Sequence, residues 1–88
     1  MGRYKKNTKL ELITEPDQTT VFSTDASFLF ILHNVERDIW NTFSIPLTIE
    51  ESYTLFSNIY DDINILESDY SSYVKQLYKN DLLIDVDD

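Results

Sequence analysis

Few side chains in this chain of 88 residues are of the types that do catalytic chemistry. His33 is the only histidine and cysteine is absent, which excludes disulfides, thiolate metal sites and a cysteine nucleophile. A zinc site would need Asp or Glu beside His33, and a Ser or Thr nucleophile would need His33 as its base. We interpret His33 as a residue that bonds backbone where a strand meets a helix.

The sequence also lacks support for a phosphate-binding loop or a carboxylate metal site. Gly2 is the single glycine, so a glycine-rich phosphate loop is ruled out. Asp61 and Asp62 resemble half of a calcium loop, but the spaced ligands, the glycine and the terminal glutamate are missing. The sixteen acidic residues leave an acid–base pair open without singling one out. We therefore predict a protein that is not an enzyme and that uses no cofactor or metal.

The charge of the chain is strongly negative and unevenly distributed. Seven basic residues against sixteen acidic ones give a net charge of −9. The first nine residues hold four of the basic ones, so the remainder has three basic against sixteen acidic residues, a net of −13. Non-specific nucleic-acid binding depends on cations that contact phosphates. The charge therefore argues against DNA or RNA as a partner.

Length and composition indicate a single folded domain over residues 1–88. Hydrophobic residues make up 42% of the chain, which is ample for a core. No apolar stretch is long enough to span a membrane, and the polar start does not resemble a secretory signal. We expect a cytoplasmic protein without a membrane partner, in which residues 1–8 form a flexible basic arm and residues 85–88 an acidic tail.

Three segments in the first part of the chain have the pattern of β-strands. Residues 9–14 alternate apolar and polar side chains, residues 19–23 are β-branched and aromatic, and residues 27–32 are mostly apolar. Turn-forming residues separate the three segments. The third segment is apolar on both faces, so we expect either a strand covered by helices or an edge that awaits a partner.

Three helices are predicted to follow these strands. Asn34 is the expected N-cap of a helix over residues 35–43. Thr48 caps the second helix, and Asn64 caps a third that runs to about residue 79; a glutamate three residues after each of these two caps completes a capping box. Residues 82–86 form a short closing strand. The predicted fold is α+β and winged helix-turn-helix-like, with a three-stranded antiparallel sheet followed by three helices.

The six Tyr and five Phe are many for so small a domain. Most of them should be core, but some could line a groove between the third strand and the third helix. A groove walled by a sheet edge and a helix is where an extended peptide binds by strand addition. A peptide is therefore the leading candidate for the partner.

Several short motifs follow one another between Ile31 and Leu83. They are Ile31-Leu32-His33, Ile39-Trp40, Thr48-Ile49-Glu50-Glu51, the stripe from Tyr70 to Leu77, and Asp81-Leu82-Leu83. Over roughly residues 22–84 this order resembles the PqqD-like family, the leader-peptide recognition domains of ribosomally made, modified peptides. The chain departs from the family pattern at His33, where Asn is usual, at Glu36, where a small residue is usual, and at Asp81, where Gly is usual.

The resemblance implies three antiparallel strands followed by three helices, and a leader peptide that binds as an added strand against the third strand and beside the third helix. Members of the family do no chemistry and deliver the precursor peptide to a maturation enzyme. A stand-alone copy resembles the partner of the leader peptidase in lasso-peptide biosynthesis, and a radical enzyme is the other maturation enzyme implied. By position, the implied peptide-binding residues are Phe28, Leu29, Phe30, Ile31, Leu32, Tyr70, Tyr73, Val74 and Leu77.

A second hypothesis is a small acidic interaction protein, such as an inhibitor, an antitoxin or a DNA mimic. Ordered carboxylates can imitate the spacing of phosphates, and binding of this kind would collapse in high salt. Leader binding through a strand and a pocket should tolerate salt better. The edge of the third strand would also allow pairing with a second copy, so a homodimer remains open.

Overall fold

The computed structural model describes residues 2–23, 29–60 and 64–86. Within these ranges the fold is mixed α+β, with two small antiparallel sheets and three helices. The elements in chain order are β1 (Arg3–Lys6), β2 (Leu10–Glu15), β3 (Gln18–Ser23), β4 (Leu29–His33), α1 (Asn34–Thr42), β5 (Leu47–Thr48), α2 (Ile49–Ile59), α3 (Glu67–Lys79) and β6 (Leu83–Asp85).

Strands β2, β3 and β4 form a meander, here called sheet 2, with β3 in the middle. Thr20 of β3 pairs with Ile13 of β2 on one side and with Ile31 of β4 on the other. The strands predicted for residues 9–14 and 19–23 match β2 and β3 to within one residue. The third predicted strand corresponds to β4, although its first two residues lie outside the described ranges.

Strand β1 is the middle strand of the other sheet, here called sheet 1, between β5 and β6. The structure thus differs from the expectation of a flexible arm over residues 1–8. The backbone N–H of Lys6 donates to Phe43 at 2.9 Å, and that of Asn7 donates to Leu82 at 3.1 Å. Tyr4 packs against the rings of Phe43 and Tyr78. A polar segment becomes a strand here because backbone groups of distant segments pair with it.

The predicted acidic tail also differs in part from the structure. Asp85 belongs to β6 and pairs with Tyr4, and the backbone N–H of Val86 donates to Arg3 at 3.0 Å. The two residues after Val86 lie outside the described ranges. The acidic segment is therefore joined to the basic one by a strand ladder over the residues that the structure describes.

Helix α1 begins one residue earlier than predicted, because His33 rather than Asn34 is its N-cap. The backbone N–H of His33 donates to the Glu36 carboxylate at 3.1 Å. A glutamate at this position satisfies a backbone donor at the end of β4 and suits the positive end of the helix dipole. The capping bond therefore ties the last residue of β4 to the first turn of α1.

Helix α2 begins as predicted, whereas α3 begins later than predicted. The Thr48 hydroxyl accepts from the backbone N–H of Glu51 at 3.1 Å, and the Glu51 carboxylate accepts from that of Thr48 at 2.8 Å. The N-cap of α3 is Leu66 instead of Asn64. Among the described helices, none has the length and apolar character needed to cross a membrane.

A left-handed residue ends α3. Asp81 has a φ of 66°, whereas Asn80, the C-cap residue before it, has a φ of −98°. The backbone N–H of Asp81 donates to Tyr78 at 3.1 Å, and that of Leu82 donates to Leu77 at 2.9 Å. These two bonds make a Schellman motif. The turn directs the chain from the end of α3 into the core.

The core joins side chains of both sheets to those of the helices. The indole N–H of Trp40 in α1 donates to the carbonyl of Leu82 at 2.9 Å. Inside the core a chain of hydroxyls links the helices, from Thr42 to Ser52 and from Ser52 to Tyr70, at 2.6 Å each. Because these buried hydroxyls form hydrogen bonds with one another, none of them pays the free-energy cost of an unsatisfied buried polar group. This network fixes α3 against α1 and α2.

Candidate functional site

Strand β4 lies at an edge of sheet 2. Among the described strands, β3 is its one neighbour. Leu29 and Ile31 are 61% and 46% exposed, whereas Leu32 is 3% exposed. The exposures of Leu29 and Ile31 do not fit a strand that is covered on both faces, and a partner for the edge of β4 stays a prediction. An edge strand with exposed apolar side chains is a ready template for another strand.

A narrow cavity lies between β4 and α3, and we call it the β4–α3 groove. Its volume is about 130 Å³, smaller than the roughly 300–1,000 Å³ of small-molecule sites. Phe30, Ile31 and Leu32 line it from the strand, and Tyr73 and Leu77 line it from the helix. All five were expected to bind peptide. A cavity of this size beside a strand suits the side chains of an extended peptide better than it suits a cofactor.

The structure does not bring the other predicted residues into the groove. Tyr70 is 1% exposed, and its hydroxyl is bonded to Ser52 of α2. Val74 is fully buried in the core, and Leu29 lies exposed on the outer face of β4. Phe28 lies outside the described residues. The apolar stripe of α3 therefore serves two surfaces, because Tyr70 and Val74 pack into the core while other positions face β4.

The groove is also lined by four residues that the sequence analysis did not assign to it: Glu36, Gln76, Asn80 and Leu82. Gln76 and Asn80 follow Tyr73 by three and seven residues, the spacing that keeps side chains on one helix face. This spacing could have identified them, but a search for an apolar stripe passes over polar residues. Glu36 and Leu82 gave no such signal, since they come from the start of α1 and the segment after α3.

The electrostatics of the groove depend on one pair of side chains. Of the lining residues that the structure describes, Glu36 alone is charged at neutral pH. Burial raises the pKa of the Tyr73 phenol well above its ordinary value, and the Glu36 carboxylate raises this pKa further. Tyr73 therefore stays protonated at neutral pH and can donate a hydrogen bond to a ligand.

A larger depression lies on α2, with a volume of about 500 Å³. Ile45, Leu47 and Leu55 contribute its apolar wall, and Glu50 and Glu51 lie beside them. None of the residues predicted to bind peptide lines this depression. The strand next to it, β5, has two residues, which is too short to template an added strand. The β4–α3 groove is thus the better candidate for a ligand that binds as a strand.

The described lining of the groove has one carboxylate, one phenol and two side-chain amides, and its other side chains are apolar. Its described lining has no His, Ser, Thr or Cys side chain. His33 lies exposed at the junction of β4 and α1, where its backbone N–H bonds Glu36. Within the described part of the chain, no three His, Cys, Asp or Glu side chains are grouped to hold a metal ion. Asp61 and Asp62 lie outside that part.

Comparison of the chain with protein-family models, with curated proteins and with solved structures found no match. The resemblance to the PqqD-like family therefore rests on the short motifs of the sequence. The function has to be argued from the groove and its strand.

Proposed function

We propose that this protein recognises the leader region of a ribosomally synthesised precursor peptide and delivers it to a maturation enzyme, without catalysing a reaction itself. The observation that carries the proposal is an edge strand with exposed apolar side chains beside a narrow groove. Backbone bonds to β4 would supply affinity, and side-chain contacts in the groove would supply specificity. The maturation enzyme is a leader peptidase or a radical enzyme, and the protein acts in the cytoplasm.

The order of elements supports this proposal. The strands of sheet 2 are followed by α1, α2 and α3, which matches in part the order that the resemblance implies, since β1 precedes these strands, β5 lies between α1 and α2, and β6 follows α3. We interpret this part as winged helix-turn-helix-like, with sheet 1 as an addition. Asp81 stands where the family pattern has Gly, and its φ of 66° is a conformation that favours glycine. The departure at Asp81 is therefore compatible with the same turn.

The charge of the chain supports a peptide over a nucleic acid. The net charge is −9, and phosphate contacts require cations. Of the basic residues near the start of the chain, Arg3, Lys5 and Lys6 belong to β1 and Lys9 precedes β2. The Lys6 ammonium lies 4.3 Å from the centroid of the Trp40 ring. We therefore propose that neither DNA nor RNA is a partner.

The first test is a calorimetric titration with the synthetic leader of a short precursor peptide encoded beside the gene, at low and at high salt. We expect tight binding that changes little with salt, because backbone bonds and apolar contacts are weakly screened. Absence of binding by the folded protein would overturn the proposal.

A second test distinguishes strand addition from other modes of peptide binding. Along a strand, alternate backbone N–H groups point toward the same neighbour. We expect N-methylation of the leader at alternate residues to weaken binding by about 3- to 10-fold per blocked bond, and N-methylation at the intervening residues to have little effect. A leader that bound as a helix would not give this period of two.

The alternative is a small acidic interaction protein such as an inhibitor, an antitoxin or a DNA mimic. The exposure of the carboxylates on α2 and α3, including Glu50, Glu67 and Asp69, favours it. Its binding to a basic protein should fall steeply with salt, opposite to the expectation for a leader. The salt series in the titration therefore separates the two functions.

The edge of β4 also offers a surface to a second copy of the chain. Self-pairing and leader binding would then compete for the same backbone groups. Sedimentation with and without the leader would show this competition as a dimer that dissociates when the leader is added. A dimer unaffected by a saturating leader would mean that β4 is not the self-pairing strand.

A further inference from the structure

The described lining of the β4–α3 groove carries one charge, and this charge is negative. Glu36 is at the first turn of α1, and its Oε1 accepts the backbone N–H of His33 at 3.1 Å. This bond holds the carboxylate in place at the wall of the groove. A carboxylate can accept roughly four hydrogen bonds, so the capping bond leaves acceptor capacity for a ligand.

Arg37 and Lys6 are engaged in other contacts. Arg37, next to Glu36, donates to the carbonyls of Glu15 and Pro16 at 2.8 and 3.2 Å. It therefore holds the turn between β2 and β3 rather than neutralising Glu36. Lys6 lies over the Trp40 ring.

Helix α3 presents acidic and neutral groups to the same side as Tyr73. Lys75 and Lys79 are two and six residues after Tyr73, which places them roughly 200° and 240° around the helix from it. Asp69 is one turn before Tyr73 and on the same side. A ligand in the groove would therefore lie beside Glu36, and one that extended past Tyr73 toward the start of α3 would approach Asp69.

We infer that the groove selects leader peptides that carry a lysine or an arginine, and that Glu36 is the residue that recognises this charge. The inference rests on the proposed function and specifies which leader peptides the groove binds. Glu36 stands where the PqqD-like pattern has a small residue, so the resemblance does not imply this charge.

Two physical effects support the selection. The net charge of −9 attracts cationic peptides and repels acidic ones before contact, which raises the association rate of the correct partner. In the groove, Glu36 is half-buried beside apolar side chains, where an ion pair is screened less than on the open surface. A hydrogen bond between Glu36 and a peptide cation should contribute about tenfold in affinity.

The test is a double-mutant cycle between the protein and the synthetic leader of the neighbouring precursor peptide. Each lysine or arginine of the leader is replaced singly by glutamine, and each peptide is titrated against wild type and Glu36→Gln. The glutamine retains an acceptor for the His33 N–H, so the helix cap is kept while the charge is lost. The matched control is Glu51→Gln, since Glu51 holds the same capping position in α2 and lies outside the groove.

We expect one basic residue of the leader whose replacement weakens binding to wild type by about tenfold and binding to Glu36→Gln by less than about twofold. Glu51→Gln should behave as wild type does. Glu36→Lys should bind a leader with Glu at that position better than it binds the natural leader.

The outcomes separate this inference from the proposed function. If the folded wild type binds no leader, the proposed function fails and the inference fails with it. If it binds the leader tightly but no basic residue couples to Glu36, the inference is overturned and the proposed function stands. If Glu51→Gln weakens binding as much as Glu36→Gln does, the net charge and not Glu36 selects the peptide, which also overturns the inference.

Discussion

Sheet 1 and sheet 2 both bury apolar residues, but sheet 2 also leaves a larger group of them exposed. In sheet 1, Leu83 of β6 is 1% exposed and lies beside the core. In sheet 2, Leu29 and Ile31 of β4 are exposed. Thr20 of β3 pairs with both Ile31 and Ile13, so the exposed Ile13 of β2 lies on the same face of the sheet as Ile31. Apolar side chains that stay in water add nothing to the stability of the isolated chain. The comparison teaches that both sheets contribute to the core, since Val21 and Leu32 of sheet 2 are also buried, whereas the exposed face of sheet 2 has apolar surface to offer to a partner.

The largest expected effect comes from a matched pair of leucines in edge strands. Leu83→Ala should lower the free energy of unfolding by about 2–5 kcal/mol, because it leaves a cavity in the core. Leu29→Ala should lower it by less than about 0.5 kcal/mol, because the side chain is already in water. Urea unfolding followed by circular dichroism measures both values. Equal decreases in the free energy of unfolding for the two variants would contradict the difference in burial between Leu83 and Leu29.

Two tyrosines of α3 provide the next largest effect. Tyr73 lines the groove beside sheet 2, whereas Tyr78 packs on Tyr4 of sheet 1, with ring centroids 5.2 Å apart. Tyr73→Ala should weaken leader binding by about tenfold or more while the domain stays folded. Tyr78→Ala, the control, should leave leader affinity unchanged within about twofold. The proposed site would be wrong if calorimetry gave the larger loss for Tyr78→Ala.

A smaller effect is expected at the turn that leads into sheet 1. Asp81 adopts a φ of 66°, which a residue with a Cβ reaches at a cost. Asp81→Gly should therefore raise the free energy of unfolding by about 0.5–1 kcal/mol. Asn80→Gly is the control and should be neutral or destabilising, since Asn80 has a negative φ and glycine adds freedom to the unfolded chain. Thermal unfolding of both variants tests the assignment of the turn.

The smallest effect is a pH dependence at the start of α2, where sheet 1 meets the helix. The backbone N–H of Thr48 lowers the pKa of the Glu51 carboxyl, and the Thr48 hydroxyl and the charge of Arg3 lower it further. A carboxyl whose pKa is lower in the folded state stabilises the fold above its unfolded pKa, and this contribution is lost as the pH falls through the folded pKa. Wild type should therefore exceed Glu51→Gln in stability at neutral pH, and the difference should decrease as the pH falls below about 4.3 and vanish below the folded pKa. A difference that persisted in acid would mean that the charge of Glu51 is not its source.

Local patterns predicted many of the elements well. The alternation in β2, the β-branched run of β3 and the capping box of α2 identify elements whose signals lie within a few adjacent residues. The start of α3 was misplaced because Asn64 and Glu67 have the spacing of a capping box, while the helix begins after Leu66. Strand β1 was missed because Arg3, Lys5 and Lys6 are polar and their pairing partners lie 40 or more residues away.

The candidate site was predicted in outline and not in full. The resemblance assigned Phe30, Ile31, Leu32, Tyr73 and Leu77 by position, and these five residues line the groove, whereas Leu29 does not. Tyr70 belongs to the same apolar stripe, yet its hydroxyl bonds to Ser52 inside the core. A stripe specifies that a helix has a buried side, but it does not divide that side between a core and a groove.

The sequence by itself determined the acidic charge, the absence of cysteine, the helix cap at Thr48 and the excess of apolar residues in β4. These are properties of residue type and short spacing, on which local backbone geometry depends. Tertiary structure alone decided that Arg3–Lys6 form the middle of a sheet, that Tyr70 faces the core and that Glu36 faces the groove. The physical reason is that burial and pairing depend on which distant segments pack together, and periodicity along the chain does not encode which segments those are.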